Sequence, residues 1–349
     1  MIAAPRPPAR GVASPADATA AASPDRPLPA ARRPGPAGVL IVDKPTGVTS
    51  HDVIDVVRRR LREKAAGHLG TLDPMASGLL AVALGAATRC VPVWQRGEKT
   101  YQGTLRLGVE TDTQDLSGQV RAVRPVAVTE ADLRAAAASQ VGERMQVPPM
   151  VSAVRVGGER LYRLARRGVE VERAPRPIHV RSWHWLEFDL PRARFRVCCS
   201  SGTYVRTLAH DLGASLGCGA ALESLRRLSS EPFDLTRCVT VRDLYVLPPE
   251  AVWERAGIPL DEALRSLPAL TLDEAEVRAI GYGAAIALDR ERAAAAPLAA
   301  GPRSLVLRDG AGRALALGEA RPDAAGAGFL AHPQVVFPWA VREGRPSAP

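Results

Sequence analysis

The segment "AGHLGTLDPMASGLLAVALG" (residues 66–85) is the feature that most constrains how this chain folds. Its first half combines glycines with Asp73-Pro74, a pattern typical of a tight turn, because glycine tolerates unusual backbone angles and proline restricts them. Its second half is a short apolar run, which predicts a buried strand. A constrained turn beside a strand can hold a side chain toward a cleft, so Asp73 is a candidate catalytic carboxylate. An ordinary turn is the alternative interpretation.

Strand-like and helix-like patterns alternate irregularly around this segment. Strand patterns occupy 38–45 and 99–109, and helical patterns occupy 49–64 and 129–143. Residues 194–217 read as a strand, a glycine turn and a helix. Because strands and helices do not alternate regularly, the sequence favours an α+β fold over a doubly wound parallel sheet.

Changes in composition predict the domain organisation. Residues 1–37 are rich in Pro, Ala and Arg with little to bury, and we expect a disordered extension there. The large domain is expected to span 38–247. A linker containing several prolines follows at 248–267. Residues 268–342 then read as a small β-rich domain, and 343–349 as a tail.

The charge balance points to a polyanionic partner. The formal net charge is +9 with a sequence pI near 9.9, and arginine far outnumbers lysine. Such an excess is typical of proteins that bind nucleic acid, with a membrane surface as the second choice. A compositional bias toward Arg, Ala, Gly and Pro is the alternative explanation, so the charge is only modest support.

Cysteine usage and hydropathy narrow the class further. The five cysteines (Cys90, Cys198, Cys199, Cys218 and Cys238) include one adjacent pair and no C-x-x-C spacing. This pattern fits neither a disulfide framework nor a zinc site, and we expect a reducing cytoplasm. No apolar run reaches the roughly 18 residues of a membrane span, and the N-terminus lacks a signal-peptide core. We therefore expect no membrane association.

Six sequence blocks identify a family resemblance. The first four are "DKPTGVTSHD" (43–52), "GHLGTLDPMASGLL" (67–80), "KTYQGTLRLGVETDTQDLSG" (99–118) and "CSSGTYVRTLAHDLG" (199–213). Two more are "QVPPMVSAVRVGGERLYRLARRG" (146–168) and "LGCGAALESLRRL" (216–228). In this order they resemble the signature blocks of the bacterial tRNA pseudouridine synthases of the TruB family, which isomerise uridine 55 in the T loop.

The resemblance implies a fold, a reaction and a partner. The expected fold is a pseudouridine-synthase catalytic domain with a mixed, mainly antiparallel central sheet and flanking helices. A small β-rich, PUA-like domain at the C-terminus would bind RNA. The N1–C1′ bond of uridine breaks, the uracil turns, and C5 bonds to C1′. The implied partner is the T arm of tRNA, with no cofactor and no metal, and nothing requires more than a monomer.

The resemblance also assigns the catalytic and base-binding residues. Asp73 corresponds to the catalytic carboxylate, and whether it attacks C1′, attacks C6 or removes a sugar proton stays open. Tyr101 would stack on the flipped uracil and help move the C5 proton. Tyr204 and Arg206 are two residues apart, so we expect them on one face of a strand. Arg206 would then pair with Asp73 and orient it, while Tyr204 packs under the base.

Three further residues complete the implied site. His68 would stabilise the opened RNA loop by stacking among flipped nucleotides. Leu225 would be an apolar wall of the base pocket. Lys44 would shape the cleft and meet phosphates. Arg226 and Arg227 could also meet RNA phosphates.

Three alternative functions account for parts of the sequence. A non-catalytic tRNA-binding or tRNA-folding chaperone would use the same basic cleft without turnover. A calcium loop is suggested by "DTQDLSG", but Asp112 and Asp115 are three apart and the glycine is misplaced for an EF-hand. A pseudouridine synthase with a different RNA target is the third, and the "HLGTLDP" block favours tRNA over it.

Overall fold

The computed structural model describes residues 37–289, 291–292, 303–323 and 328–344. The extension predicted to be disordered, 1–37, lies outside the described residues except for its last residue. Residues 345–349 of the predicted tail also lie outside them. No helix in the described ranges is both long enough and apolar enough to cross a bilayer.

The strands are numbered in chain order. They are β1 (Gly38–Lys44), β2 (Ala66–His68), β3 (Ala76–Leu84), β4 (Lys99–Leu107), β5 (Val109–Thr111), β6 (Val120–Val123), β7 (Gly142–Gln146), β8 (Arg155–Val156), β9 (Glu159–Arg160), β10 (Arg176–Asp189), β11 (Arg192–Cys199), β12 (Ala220–Ser230), β13 (Phe233–Asp234), β14 (Val239–Thr240), β15 (Gly257–Pro259), β16 (Ala269–Thr271), β17 (Ile286–Leu288), β18 (Arg303–Arg308), β19 (Ala314–Pro322) and β20 (Phe329–Val336).

The helices are also numbered in chain order, and most of them are short. They are α1 (Ser50–Leu61), α2 (Val91–Trp94), α3 (Glu130–Ala138), α4 (Leu161–Arg166), α5 (Val205–Ser215), α6 (Val241–Val246), α7 (Pro249–Ala256), α8 (Leu260–Ala263), α9 (Glu274–Gly281) and α10 (Pro338–Gly344), and a 3-10 helix spans Gly85–Cys90.

A large mixed sheet forms the body of the protein. Its order is β14-β1-β3-β12-β4-β11-β10-β7. In addition, β13 pairs with β12, β15 pairs with β1, and β2 pairs with β3. Only the β1–β14 and β12–β3 pairs of this sheet are parallel within the described residues. The predicted α+β fold with a mixed, mainly antiparallel sheet is therefore confirmed.

The apolar run of β3 is buried on both of its faces. Leu80 and Val82 pack with side chains of α1 such as Val53 and Val57, while Leu79 and its alternate neighbours pack on the opposite face. A strand covered on both faces reads as a continuous apolar run rather than an alternating one. This burial explains "GLLAVAL", and it fixes the end of β3 that follows the Asp73 turn.

The C-terminal part forms a second sheet. Its order is β16-β18-β19-β20-β17, and β18 and β19 form the hairpin that the sequence predicts. Val306 and Phe337 from this part share one apolar cluster with Val39 and Leu264. Residues 248–267, predicted to be a linker, contain α7, α8 and β15, and β15 pairs with β1. The domain boundaries themselves stay a prediction.

Candidate active site

Hydrogen bonds from Gly47 and Ser50, at and just before the start of α1, hold the Asp73 turn on both sides. The Ser50 hydroxyl donates to the Leu72 carbonyl (3.0 Å) and accepts from the Leu72 amide (2.9 Å). The Gly47 amide donates to the Pro74 carbonyl (2.8 Å). Because the residues on either side of Asp73 are bonded to another segment, the carboxylate has a defined position.

Arg206 forms an ion pair with Asp73. Its Nε donates to Asp73 Oδ2 at 2.8 Å, while its two terminal nitrogens donate to the carbonyls of Thr113 (2.7 Å) and Val151 (2.9 Å). The Arg206 side chain is 2% exposed, whereas that of Asp73 is 36% exposed. A rigid, buried guanidinium therefore orients a carboxylate that a ligand can still reach.

The expected strand geometry of Tyr204 and Arg206 is wrong. Tyr204 is the N-cap residue of α5, and Arg206 lies in the first turn of that helix. Alternation along a strand therefore does not bring the two side chains to the site. The glycine turn at Gly202, which has a φ of +85°, ends the preceding extended segment and lets α5 start at the cavity.

Asp115 is a site residue that the sequence reasoning missed. Its side chain is buried, and its Oδ2 lies 3.7 Å from the Nε of Arg206. Its Oδ1 accepts from the Thr113 hydroxyl (2.9 Å), the Ser117 amide (3.0 Å) and the Ser117 hydroxyl. Two carboxylates thus flank one guanidinium. The "DTQDLSG" block contains Asp115, but its acidic pattern by itself suggests only a calcium loop.

A cavity of about 330 Å³ opens over Asp73. Five of the predicted site residues line it, namely Asp73, Tyr101, Tyr204, Arg206 and Leu225. They come from the turn before β3, from β4, from the start of α5 and from β12. The sheet order β3-β12-β4 brings these elements together. The strand β12, which carries Leu225, lies between β3, which follows the Asp73 turn, and β4, which carries Tyr101.

Burial shifts the titration of both cavity tyrosines. Tyr101 is 9% exposed, and burial raises the pKa of its hydroxyl. Burial also raises the pKa of Tyr204. Both hydroxyls are therefore neutral at physiological pH and can donate a hydrogen bond, while each ring offers a flat surface to a planar base.

Arg227 lines the same cavity and is held by the backbone around it. It is 2% exposed and donates to the carbonyls of Leu79 (2.8 Å), Thr71 (3.4 Å) and Gly70 (3.0 Å). These bonds tie the turn to β3, and the expected phosphate contact of Arg227 stays a prediction. Arg226 forms a two-bond ion pair with Asp43 at 2.9 and 2.7 Å.

Lys44 and His68 lie outside the cavity lining. Lys44 is completely buried and its Nζ donates to the carbonyls of Pro45 and Val48, both at 2.8 Å. Both bonds hold the ammonium inside the protein, and the expected phosphate contact of Lys44 stays a prediction. Burial lowers its pKa to about 8, although Asp73 partly offsets the effect. His68 ends β2, where burial lowers its pKa.

Comparison with solved structures agrees with this architecture. A structure described as "Crystal Structure of a Cbf5-Nop10-Gar1 Complex" matches with a TM-score of 0.65 and 27% identity, covering 91% of this chain and 92% of the other. One described as "Structure of H/ACA RNP bound to a substrate RNA containing 2'-deoxyuridine" matches with a TM-score of 0.62 and 25% identity, covering 86% and 84%. These chains share the fold found here.

Family models and curated relatives define the class. Residues 58–205 match the N-terminal domain of TruB family pseudouridylate synthases, and 206–267 match the tRNA pseudouridylate synthase B C-terminal domain. These matches place the chain among the pseudouridine synthases, enzymes that act on RNA.

The relatives specify the family. A tRNA pseudouridine synthase B of Aromatoleum aromaticum is 45% identical over 284 residues, which cover 81% of this chain and 88% of the relative. One of Opitutus terrae is 48% identical over 231 residues, which cover 66% and 95%. The chain belongs to the TruB family.

Proposed function

We propose that this pseudouridine synthase converts uridine 55 in the T loop of tRNA, with Asp73 as the catalytic carboxylate. The relatives are named tRNA pseudouridine synthase B, which supports tRNA as the substrate. The observation that carries the assignment of Asp73 is its position. It is a ligand-accessible carboxylate bound at 2.8 Å to a buried arginine at the cavity.

The reaction requires the chain to act on one nucleotide. The N1–C1′ bond breaks, C5 bonds to C1′, C5 loses its proton, and N1 gains one. Asp73 acts on the sugar or the base, and Arg206 keeps its carboxylate oriented. Because the rearrangement is redox-neutral and transfers no group to a second molecule, we expect no cofactor and no metal.

The target base must leave the RNA stack before Asp73 can act on it. Flipping a nucleotide costs a few kcal/mol, which base stacking and cationic contacts offset. Tyr101, Tyr204 and Leu225 line the cavity and offer two aromatic rings and one apolar wall for the uracil. A volume of about 330 Å³ is at the small end of ordinary ligand pockets, which suits one nucleoside.

An arginine-rich segment beside the cavity supports binding of the RNA backbone. Ser152 and Ala153 line the cavity, and the segment continues from them. Its exposed arginines are Arg155, Arg160, Arg163, Arg166, Arg167 and Arg176. Such a cluster attracts phosphates independently of sequence. We propose that this segment binds the T arm and that His68 lies near the opened loop. We also propose that the protein acts as a monomer in the cytoplasm.

The test is conversion of uridine 55 in an unmodified tRNA transcript, without added cofactor. Wild type is expected to convert it, whereas Asp73→Asn is expected to bind tRNA with similar affinity and to form no pseudouridine. Arg60→Lys is the control, because Arg60 bonds to the Leu244 and Leu247 carbonyls away from the cavity. Binding without conversion by wild type would contradict the proposed target, and turnover by Asp73→Asn would contradict the role of Asp73.

A further inference from the structure

Lysine is rare in this chain, and one of the few lysines lines the cavity. Of 46 basic residues, three are lysines: Lys44, Lys64 and Lys99. Four basic side chains are buried among the described residues, and Lys44 and Lys99 are two of these four. Two of the three lysines are thus enclosed. An ammonium is more compact than a guanidinium and presents three donors from one point.

Lys99 lies on the cavity side of β4. It is two residues before Tyr101, and inward-facing residues alternate along this strand, so both side chains lie on the same face. Both line the cavity. On the neighbouring strand β11, Cys199 pairs directly with Lys99. The turn that follows, Ser201–Thr203, also lines the cavity, so this wall combines an ammonium with a polar turn.

The charge of Lys99 has no counter-ion in the described part of the protein. Its Nζ donates to the carbonyls of Gln95 (2.8 Å) and Gly97 (2.5 Å), which are neutral groups. No carboxylate oxygen of a described residue lies within 4.0 Å of it. Two of its three N–H groups are thus used within the described chain, and one is left for a ligand. A side chain only 6% exposed therefore carries an uncompensated charge beside a cavity.

The electrostatic surroundings agree with this description. Burial, and to a smaller degree Arg227 on β12, lowers the pKa of Lys99 to about 8. Cys199 on β11 and Glu231 after β12 act in the opposite direction without overcoming the burial. An anion entering the cavity would supply the missing negative charge and favour the protonated lysine. In RNA the anionic group is the phosphate.

We propose that Lys99 forms a phosphate subsite of the cavity, where its remaining N–H donates to a phosphate oxygen adjacent to the flipped uridine. The subsite rests on the proposed function, because its ligand is the RNA substrate. Lys99 takes no part in bond breaking. Its contribution is to hold the backbone of the extruded nucleotide while Tyr101, two residues along the same strand, contacts the base.

Salt-dependent binding tests the phosphate contact. A T-arm hairpin RNA is titrated against Asp73→Asn, which prevents turnover, with and without Lys99→Gln. Removing one charge-assisted contact is expected to weaken binding about tenfold and to lower the slope of log K against log salt by about 0.7–0.9. Lys64→Gln in the same background is the matched control, with an expected change below about twofold because Lys64 is exposed. Weaker binding with an unchanged slope would contradict the subsite.

The scarcity of lysine allows a second test without any change at Lys99. Selectively labelled lysine side chains give three NMR signals, which are titrated in Asp73→Asn with and without the hairpin. The pKa of Lys99 is expected to rise when RNA binds, while that of Lys64 stays constant. An unchanged Lys99 value with RNA bound would show that Lys99 only ties Gln95 and Gly97 together, and would overturn the proposal.

The two proposals fail in different ways. If wild type converts uridine 55 but Lys99 does not respond to bound RNA, the subsite is wrong and the proposed function stands. If Lys99 responds to the hairpin but uridine 55 is not converted, the proposed target is wrong and the subsite stands.

Discussion

Asp73 and Arg206 are 133 residues apart in the chain, yet their side chains form the central contact of the cavity. Asp115 flanks the same guanidinium at 3.7 Å, and Arg227 ties the carbonyls beside the Asp73 turn. Each of these arginines is 2% exposed. At the scale of single residues, two enclosed guanidinium groups therefore set the position of the Asp73 carboxylate, which we propose to be catalytic.

Arg227→Lys tests whether this positioning matters for catalysis. The lysine keeps the charge but cannot bond to Gly70, Thr71 and Leu79 together, so the turn should shift relative to Tyr101. We expect kcat to fall about 10- to 100-fold, with tRNA affinity nearly unchanged. Conversion kinetics and tRNA binding are measured together.

Arg60→Lys is the matched control for Arg227→Lys. Arg60 also bonds to backbone carbonyls, those of Leu244 and Leu247, but away from the cavity. Both variants should lose about 1–3 kcal/mol of stability, and only Arg227→Lys should lose kcat. Equal kcat in the two variants would mean that Arg227 has a purely structural role.

At the scale of elements, the start of α1 serves the active site. Thr49 caps this helix through a reciprocal pair of contacts with Asp52, which fixes where the helix begins. Ser50, its first residue, then meets the Leu72 backbone through two hydrogen bonds. Ser50 thus connects the capped start of α1 to the backbone of the Asp73 turn.

Ser50→Ala tests this link. It leaves the buried Leu72 amide without its partner, which should cost about 1–3 kcal/mol. The Leu72 amide should exchange its hydrogen faster, and kcat should fall while KM stays nearly constant. Hydrogen exchange and steady-state kinetics measure the two effects.

Ser215→Ala is the control for Ser50→Ala. The Ser215 hydroxyl donates to the Leu212 carbonyl at the other end of α5, away from the cavity. It should leave both Leu72 exchange and kcat unchanged. Unchanged Leu72 exchange in Ser50→Ala would argue against a clamp on the turn.

At the scale of the whole molecule, positive charge matters both at the surface and in the interior. The net charge of +9 favours RNA binding. Lys44 and Lys99 are enclosed, and burial lowers their pKa values to about 8 from the ordinary 10.5. Between these two values the unfolded chain binds more protons than the folded chain, so folding becomes more favourable as pH rises.

The free energy of unfolding should therefore increase from about pH 8 toward pH 10, by at most about 1.4 kcal/mol per pH unit for each lysine. RNA binding should weaken over the same range, because Lys99 loses its charge. Denaturant titrations at several pH values measure the first effect. Lys99→Met should show a shallower rise than wild type, and an identical rise would assign the effect to other groups.

Local sequence patterns determined much of the secondary structure of this protein. The Asp73 turn, the buried strand after it, the capped helix α1 and the hairpin of the second sheet follow from glycine, proline, capping and apolar patterns that act over a few residues. The family resemblance, carried by blocks such as 67–80 and 199–213, pointed to Asp73, Tyr101, Tyr204, Arg206 and Leu225, which all line one cavity.

Tertiary structure decided which charged groups face the cavity and which are used inside the protein. Lys44 and Arg227 are cations within their sequence motifs, and only the fold shows that both donate to backbone carbonyls. The partners of Arg227 lie about 150 residues away in the chain, and those of Arg206 up to 133. Local patterns do not report such distances, because the sheet order β3-β12-β4 creates the contacts.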